Sequence, residues 1–188
     1  MSKKNPIKGK SKRKNSNLLP ILITIIFAAV AIGAYVALSK MASTGNDYQL
    51  GELREGSINV YVGGNLFNVI TNVTRIQQVV ENIISTYNLE NITFLMFGTR
   101  TCPHCGAMND FFTTEFRDEY FVVWLSGGEN MTWFVEIASA EYEAGFPEQY
   151  AYAVPQTLVL DGDGQVRAIV IGELTDKNFW ASLLEKIK

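Results

Sequence analysis

From Leu18 to Leu38 the chain runs for 21 residues without a charged side chain, and this stretch limits the possible architectures more than any other feature. At about 1.5 Å per residue a helix of that length measures about 32 Å, close to the ~30 Å hydrocarbon thickness of a bilayer. Pro20 falls in the first turn, where a missing N–H is tolerated, and Tyr35 near the far end, where an interfacial aromatic is favourable. A core helix of a soluble domain is a poorer reading, because so long a run, apolar on every side, exceeds what a domain of ~145 residues encloses. Ala37-Leu38-Ser39 has the small-x-small form of a signal-peptide cleavage site, so a cleaved signal stands beside the anchor. Its apolar core of ~7 to 15 residues would be shorter than this one.

The charges sort themselves around this stretch. Residues 1–17 carry seven basic groups (Lys3, Lys4, Lys8, Lys10, Lys12, Arg13, Lys14) and no acid, whereas residues 41–188 carry 8 basic and 19 acidic groups, a net of −11. By the positive-inside rule the tail stays in the cytoplasm and the acidic body is exported. A basic tail could also be a nucleic-acid arm, but the span that follows makes it a topology signal, and no nucleic-acid partner is expected. The resulting division is a basic tail (1–17), a single-pass transmembrane helix (18–38), a polar linker (39–56) and one extracytoplasmic domain (57–188).

Within the body, Ile58 to Val62, and again Leu66 to Ile70, read as strands. Thr74-Arg75-Ile76-Gln77 has the form of a capping box, followed by Ile76, Val79, Val80, Ile83, Ile84 and Tyr87 at helical spacing. Ile92 to Phe97 is a continuous apolar run, as expected of a strand covered on both faces. Ala107, Met108, Phe111 and Phe112 mark a second helix, Tyr120 to Leu125 a strand, and Thr132 to Ala144 a third helix. Val154 to Leu160 and Val166 to Ile171 flank the turn Asp161-Gly162-Asp163-Gly164 as an antiparallel hairpin. Thr175 is positioned to cap a last helix with Phe179, Leu183, Leu184 and Ile187 inward. The expected order is β-α-β-α-β-α-β-β-α, an α/β fold built on a mixed sheet with helices on both faces.

The rarest residues sit together. The chain has two cysteines and one histidine, and all three lie in Cys102-Pro103-His104-Cys105, directly after the apolar strand and at the start of a helix. This count excludes a disulfide-stapled scaffold and a multi-histidine metal site, and half a zinc site lacks its remaining ligands. No lipid-modified cysteine is available beside the span. At the helix N-terminus, unpaired N–H groups and the positive end of the helix dipole stabilise a thiolate at Cys102, and a protonated His104 adds a second positive group. Pro103 suits the first helical position. Cys105 lies one turn further on, placed to attack a mixed disulfide at Cys102. A nucleophilic and a resolving thiol at this spacing point to thiol–disulfide exchange, which needs no cofactor and no metal.

Strand, loop, Cys-Pro-His-Cys and helix together resemble the thioredoxin superfamily, and the tetrapeptide resembles the DsbA-type thiol–disulfide oxidoreductases. The resemblance covers most of residues 58–188 and implies a thioredoxin-like fold. It implies that Pro155 in Ala153-Val154-Pro155-Gln156-Thr157 is the cis-proline facing the disulfide, and that the Val154 backbone pairs with an extended substrate chain. It further implies exported client proteins with cysteines as substrates, and a membrane redox partner that reoxidises the pair. Three departures stand out. Met96 occupies the place where many relatives bury a carboxylate, and neither Glu115 nor Glu173 can be assigned to that role. Only 48 residues separate Cys105 from Val154, fewer than a large helical insert requires. Thr101, rather than an aromatic, precedes Cys102.

Other readings stay open at this level. The same fold could serve as a reductase or isomerase, for example in cytochrome maturation, or the body could be a tethered binding or chaperone module. Asp161-Gly-Asp163-Gly is a hairpin turn before it is a calcium loop, since the glutamate that closes an EF-hand is missing. Trp133, Phe134 and Tyr142 read as packing residues. Three Asn-x-Thr sequons (Asn72, Asn91, Asn130) agree with an exported, glycosylated chain.

Overall fold

In the computed structural model of the chain, residues 48–187 are described. The basic tail, the proposed span and the first part of the linker lie outside them. Among the described residues no helix is long and apolar enough to cross a membrane.

The sheet follows from strand alternation. Strands β1 (Ile58–Val62), β2 (Asn65–Ile70), β3 (Phe94–Gly98), β4 (Tyr120–Trp124), β5 (Gln156–Leu160) and β6 (Val166–Ile171) form one six-stranded sheet in the order β2-β1-β6-β5-β3-β4. The β1/β6 and β3/β4 pairs are parallel and the other three antiparallel, so the sheet is mixed. Successive side chains of a strand point to opposite faces. Leu95 and Phe97 of β3 accordingly join one apolar layer, and Phe94 and Met96 join another.

Each layer is closed by helices. Helix α1 (Thr74–Tyr87) and helix α3 (Glu129–Glu143) cover the first with Ile76, Val79, Val80, Ile83, Trp133, Phe134 and Ile137. Helix α2 (Pro103–Glu115) and helix α5 (Lys177–Ile187) cover the second with Met108, Phe112, Phe179, Trp180 and Leu183. The expected α/β architecture with helices on both faces is therefore present. The two opening strand readings, counted as one β in the expected order, are the two strands of a hairpin, and a short helix α4 (Glu148–Ala151) is added. Only α3 and α4 lie between β4 and β5, in keeping with the short spacing after Cys105.

Two expected caps are replaced. Thr74 does not open a capping box: the cap residue of α1 is Val73, and no side chain caps it. Gln77 is recruited by the distant β5–β6 turn instead, donating to the Gly164 carbonyl and accepting from the Val166 N–H at 3.0 Å each. At α5 the Asp176 carboxylate, rather than Thr175, accepts from the Asn178 N–H at 2.8 Å. The other Asp176 oxygen accepts from the Tyr48 hydroxyl at 2.5 Å, and Tyr48 meets Phe179 edge-on. Leu50 is buried, with the Tyr61 hydroxyl on its carbonyl at 2.6 Å. Thus residues 48–50, inside the span read as linker, pack on this domain.

The hairpin turn is as expected. Asp161 accepts from the N–H groups of Asp163 and Gln165, and β5 pairs antiparallel with β6. Strand β2 forms one edge of the sheet. Its register against β1 shifts between Val60 and Tyr61, and the Asn68 side chain accepts from the Val69 N–H at 2.8 Å.

Candidate functional site

Chain direction gathers the site at one end of the sheet. Strands β3 and β4 run parallel and end there, while β5, antiparallel to β3, begins there. Strand β6 returns to the same end. Gly98, the last residue of β3, accepts from the Leu125 N–H at 2.8 Å, which closes the exit of β4 beside the loop to Cys102.

Cys102 is the N-cap of α2, with Pro103 in its first turn, as read from the sequence. Its backbone is extended and its Sγ accepts from the Cys105 N–H at 3.2 Å. A sulfur thus does the work an oxygen does at most helix N-termini, satisfying one of the orphan donors. Opposite it lies the Val154 carbonyl, 3.9 Å from Sγ, and the Val154–Pro155 peptide bond is cis. The expected cis-proline is therefore in place beside the thiol.

Both cysteines are free thiols, and their environments differ. Cys102 is half-buried and Cys105 fully buried. Burial, and then the neighbouring Cys102 thiol, push Cys105 up to about 12. The pair is thus asymmetric: an accessible sulfur fed by a helix N-terminus, and a proton-retaining sulfur behind it. Gly98, which sequence reasoning passed over, makes this packing possible. A Cβ there would lie 3.2 Å from the Cys105 Cβ and 3.3 Å from its Sγ.

The departures noted in the sequence resolve as follows. Met96 is buried in the apolar layer that α2 covers. Glu115 pairs with Lys177. Glu173 reaches His104, its Oε2 lying 2.7 Å from Nδ1. His104, Val154, Pro155, Gly172 and Glu173 line one open groove beside Cys102. Two residues before Cys102, the Arg100 guanidinium lies over Trp124, 4.8 Å from the ring centre.

One buried acid also escaped the sequence reading. Glu141 is fully buried on α3, and the Gln156 amide donates to both its oxygens at 3.0 Å. Gln156 directly follows Pro155. The signal was present: Phe134, Ile137, Ala138 and Glu141 share the inward face of α3 at helical spacing. Burial holds the Glu141 carboxyl well above the usual range, and the Gln156 bond only partly opposes this. The folded state therefore keeps a proton that the unfolded chain releases, so stability is full below the ordinary value of 4.5 and falls as pH rises past it. Urea titrations from pH 4.5 upward are expected to show this decline in the parent and to lose it in Glu141→Gln. Parallel curves for the two proteins would show that Glu141 is ionised in the fold.

No protein-family model matches the chain, and no curated protein does. The chemistry rests on the geometry. Among the described residues no cluster of three or more His, Cys, Asp or Glu side chains is placed to hold a metal ion. What the arrangement offers is a half-buried sulfur at a helix N-terminus, a second, buried sulfur one turn away and a backbone carbonyl beside an open groove.

Proposed function

We propose that this protein is a membrane-tethered, extracytoplasmic thiol–disulfide oxidoreductase of thioredoxin-like fold, which introduces disulfides into exported proteins. One observation carries the reading: Cys102 caps α2 with buried Cys105 behind it, and the carbonyl before a cis-proline faces its sulfur. In the oxidised protein a client thiolate attacks Sγ of Cys102 and expels the Cys105 thiolate, which takes up a proton. A second client thiol then attacks the mixed disulfide, so the client gains one disulfide and the Cys102–Cys105 pair is left as two thiols. An extended client strand pairs with Val154 across the groove. The uncharged stretch before the domain supplies the tether, and a membrane redox partner takes the electron pair.

The test is the equilibrium of the full chain, held in detergent, against defined mixtures of reduced and oxidised glutathione. A reduction potential toward about −120 mV is expected for an oxidase, whereas one near about −270 mV would overturn that direction and leave a reductase. Failure to form the Cys102–Cys105 disulfide at all would leave a binding module.

A further inference from the structure

His104 is the only histidine of the chain, and its ring is engaged by a carboxylate from a distant loop. Among the described residues, Sγ of Cys102 contacts the Cys105 N–H and the Val154 carbonyl, while the imidazole Nδ1 meets Glu173 at 2.7 Å. Glu173 is held there by its neighbours. The Gly172 N–H donates to the Pro155 carbonyl at 2.9 Å, and the Leu174 N–H donates to Sδ of Met108 at 3.1 Å. The Trp180 indole N–H donates to the Leu174 carbonyl at 2.7 Å. The carboxylate thus stands on a backbone fixed to the cis-proline, to α2 and to α5.

We propose that Glu173 is a positioning residue that sets the redox poise of the site by drawing His104 away from Cys102. The inference rests on the thiol–disulfide reading above and adds the control of its direction. A cation close to a thiolate stabilises the reduced form and makes the disulfide more oxidising. Glu173 engages the one side chain beside Cys102 able to supply such a cation. A carboxylate is a stronger acceptor than an amide oxygen, so Glu173→Gln keeps an acceptor in place while loosening the hold on the ring. The freed imidazole then turns toward the sulfur. The reaction measured is two-electron exchange, in which the Cys102–Cys105 disulfide and two glutathione thiols give two cysteine thiols and one glutathione disulfide.

The experiment compares the full chain in detergent with Glu173→Gln, His104→Ala and the double variant, each equilibrated with glutathione. Glu173→Gln is expected to shift the equilibrium three- to tenfold toward the dithiol, tenfold being about 30 mV. In the His104→Ala background the same substitution is expected to have little effect, since the coupling runs through the ring. An unchanged equilibrium, a shift toward the disulfide, or an equal shift in both backgrounds overturns the proposal. The lone histidine gives a second readout, because its imidazole nitrogen resonances belong to one ring. These are expected to move in Glu173→Gln and again on reduction of that variant, and static resonances would overturn the proposal even if the potential changed. If the parent chain never reaches a dithiol–disulfide equilibrium, the site reading falls and this inference falls with it.

Discussion

On the thiol–disulfide reading proposed above, Cys105→Ser is expected to turn an exchange site into a covalent trap. With Cys102 intact, attack on a client disulfide or on oxidised glutathione still forms the mixed disulfide, but no second sulfur stands one turn away to release it. An intramolecular thiol acts at an effective concentration far above millimolar external thiols, so turnover is expected to fall by about 10²-fold or more. The covalent adduct should accumulate and run as a higher-mass band that disappears on reduction. Cys102→Ser should form no adduct, because the remaining thiol is buried and held protonated up to about 12. The same asymmetry predicts that an alkylating reagent modifies Cys102 well before Cys105 in the native protein. Equal trapping by the two variants would mean that the roles of the two sulfurs have been reversed.

The largest effect on stability is expected from Trp180→Ala. Trp180 is fully buried and meets Phe94, Phe112 and Phe179 near edge-to-face, with ring centres 5.2 to 5.4 Å apart. Truncating a buried tryptophan costs about 3 to 5 kcal/mol through lost burial and the cavity left behind. The indole N–H adds a second consequence. Its bond to the Leu174 carbonyl fixes the segment that carries Glu173, so a smaller side chain also loosens one wall of the groove. Trp180→Phe should recover most of the packing and leave the carbonyl unpaired, at about 1 to 3 kcal/mol. Urea unfolding separates the two contributions, and a loss below about 1 kcal/mol for Trp180→Ala would contradict the packing described.

How much of this was legible in the sequence depends on how far each contact reaches along the chain. The Cys-Pro-His-Cys helix start was legible because everything that makes it (an apolar strand, a short loop, a proline after the first cysteine) is contiguous. The β5–β6 hairpin was legible for the same reason, from its Asp-Gly-Asp-Gly turn. The cis-proline came only from the family resemblance, since nothing local to Val154 and Pro155 announces it. Glu173 could not be assigned, because the loop that brings it to His104 is 69 residues away. The cap at Thr74 failed for a related cause: Gln77 has a long-range partner in the β5–β6 turn that outcompetes the local one. Glu141 is the instructive case, for its place in the helical stripe was readable and only the habit of putting acids outside concealed it.

The edge of the sheet carries a consequence for assembly. A protein proposed to hold extended chains against Val154 must avoid pairing strands with its own copies, and β2, like β4, is an edge where such pairing could begin. The Asn68 side chain occupies the Val69 N–H, and the register shift in the β1–β2 pair increases local twist. Fewer free donors on a twisted edge make β2 a poor template for a neighbouring molecule.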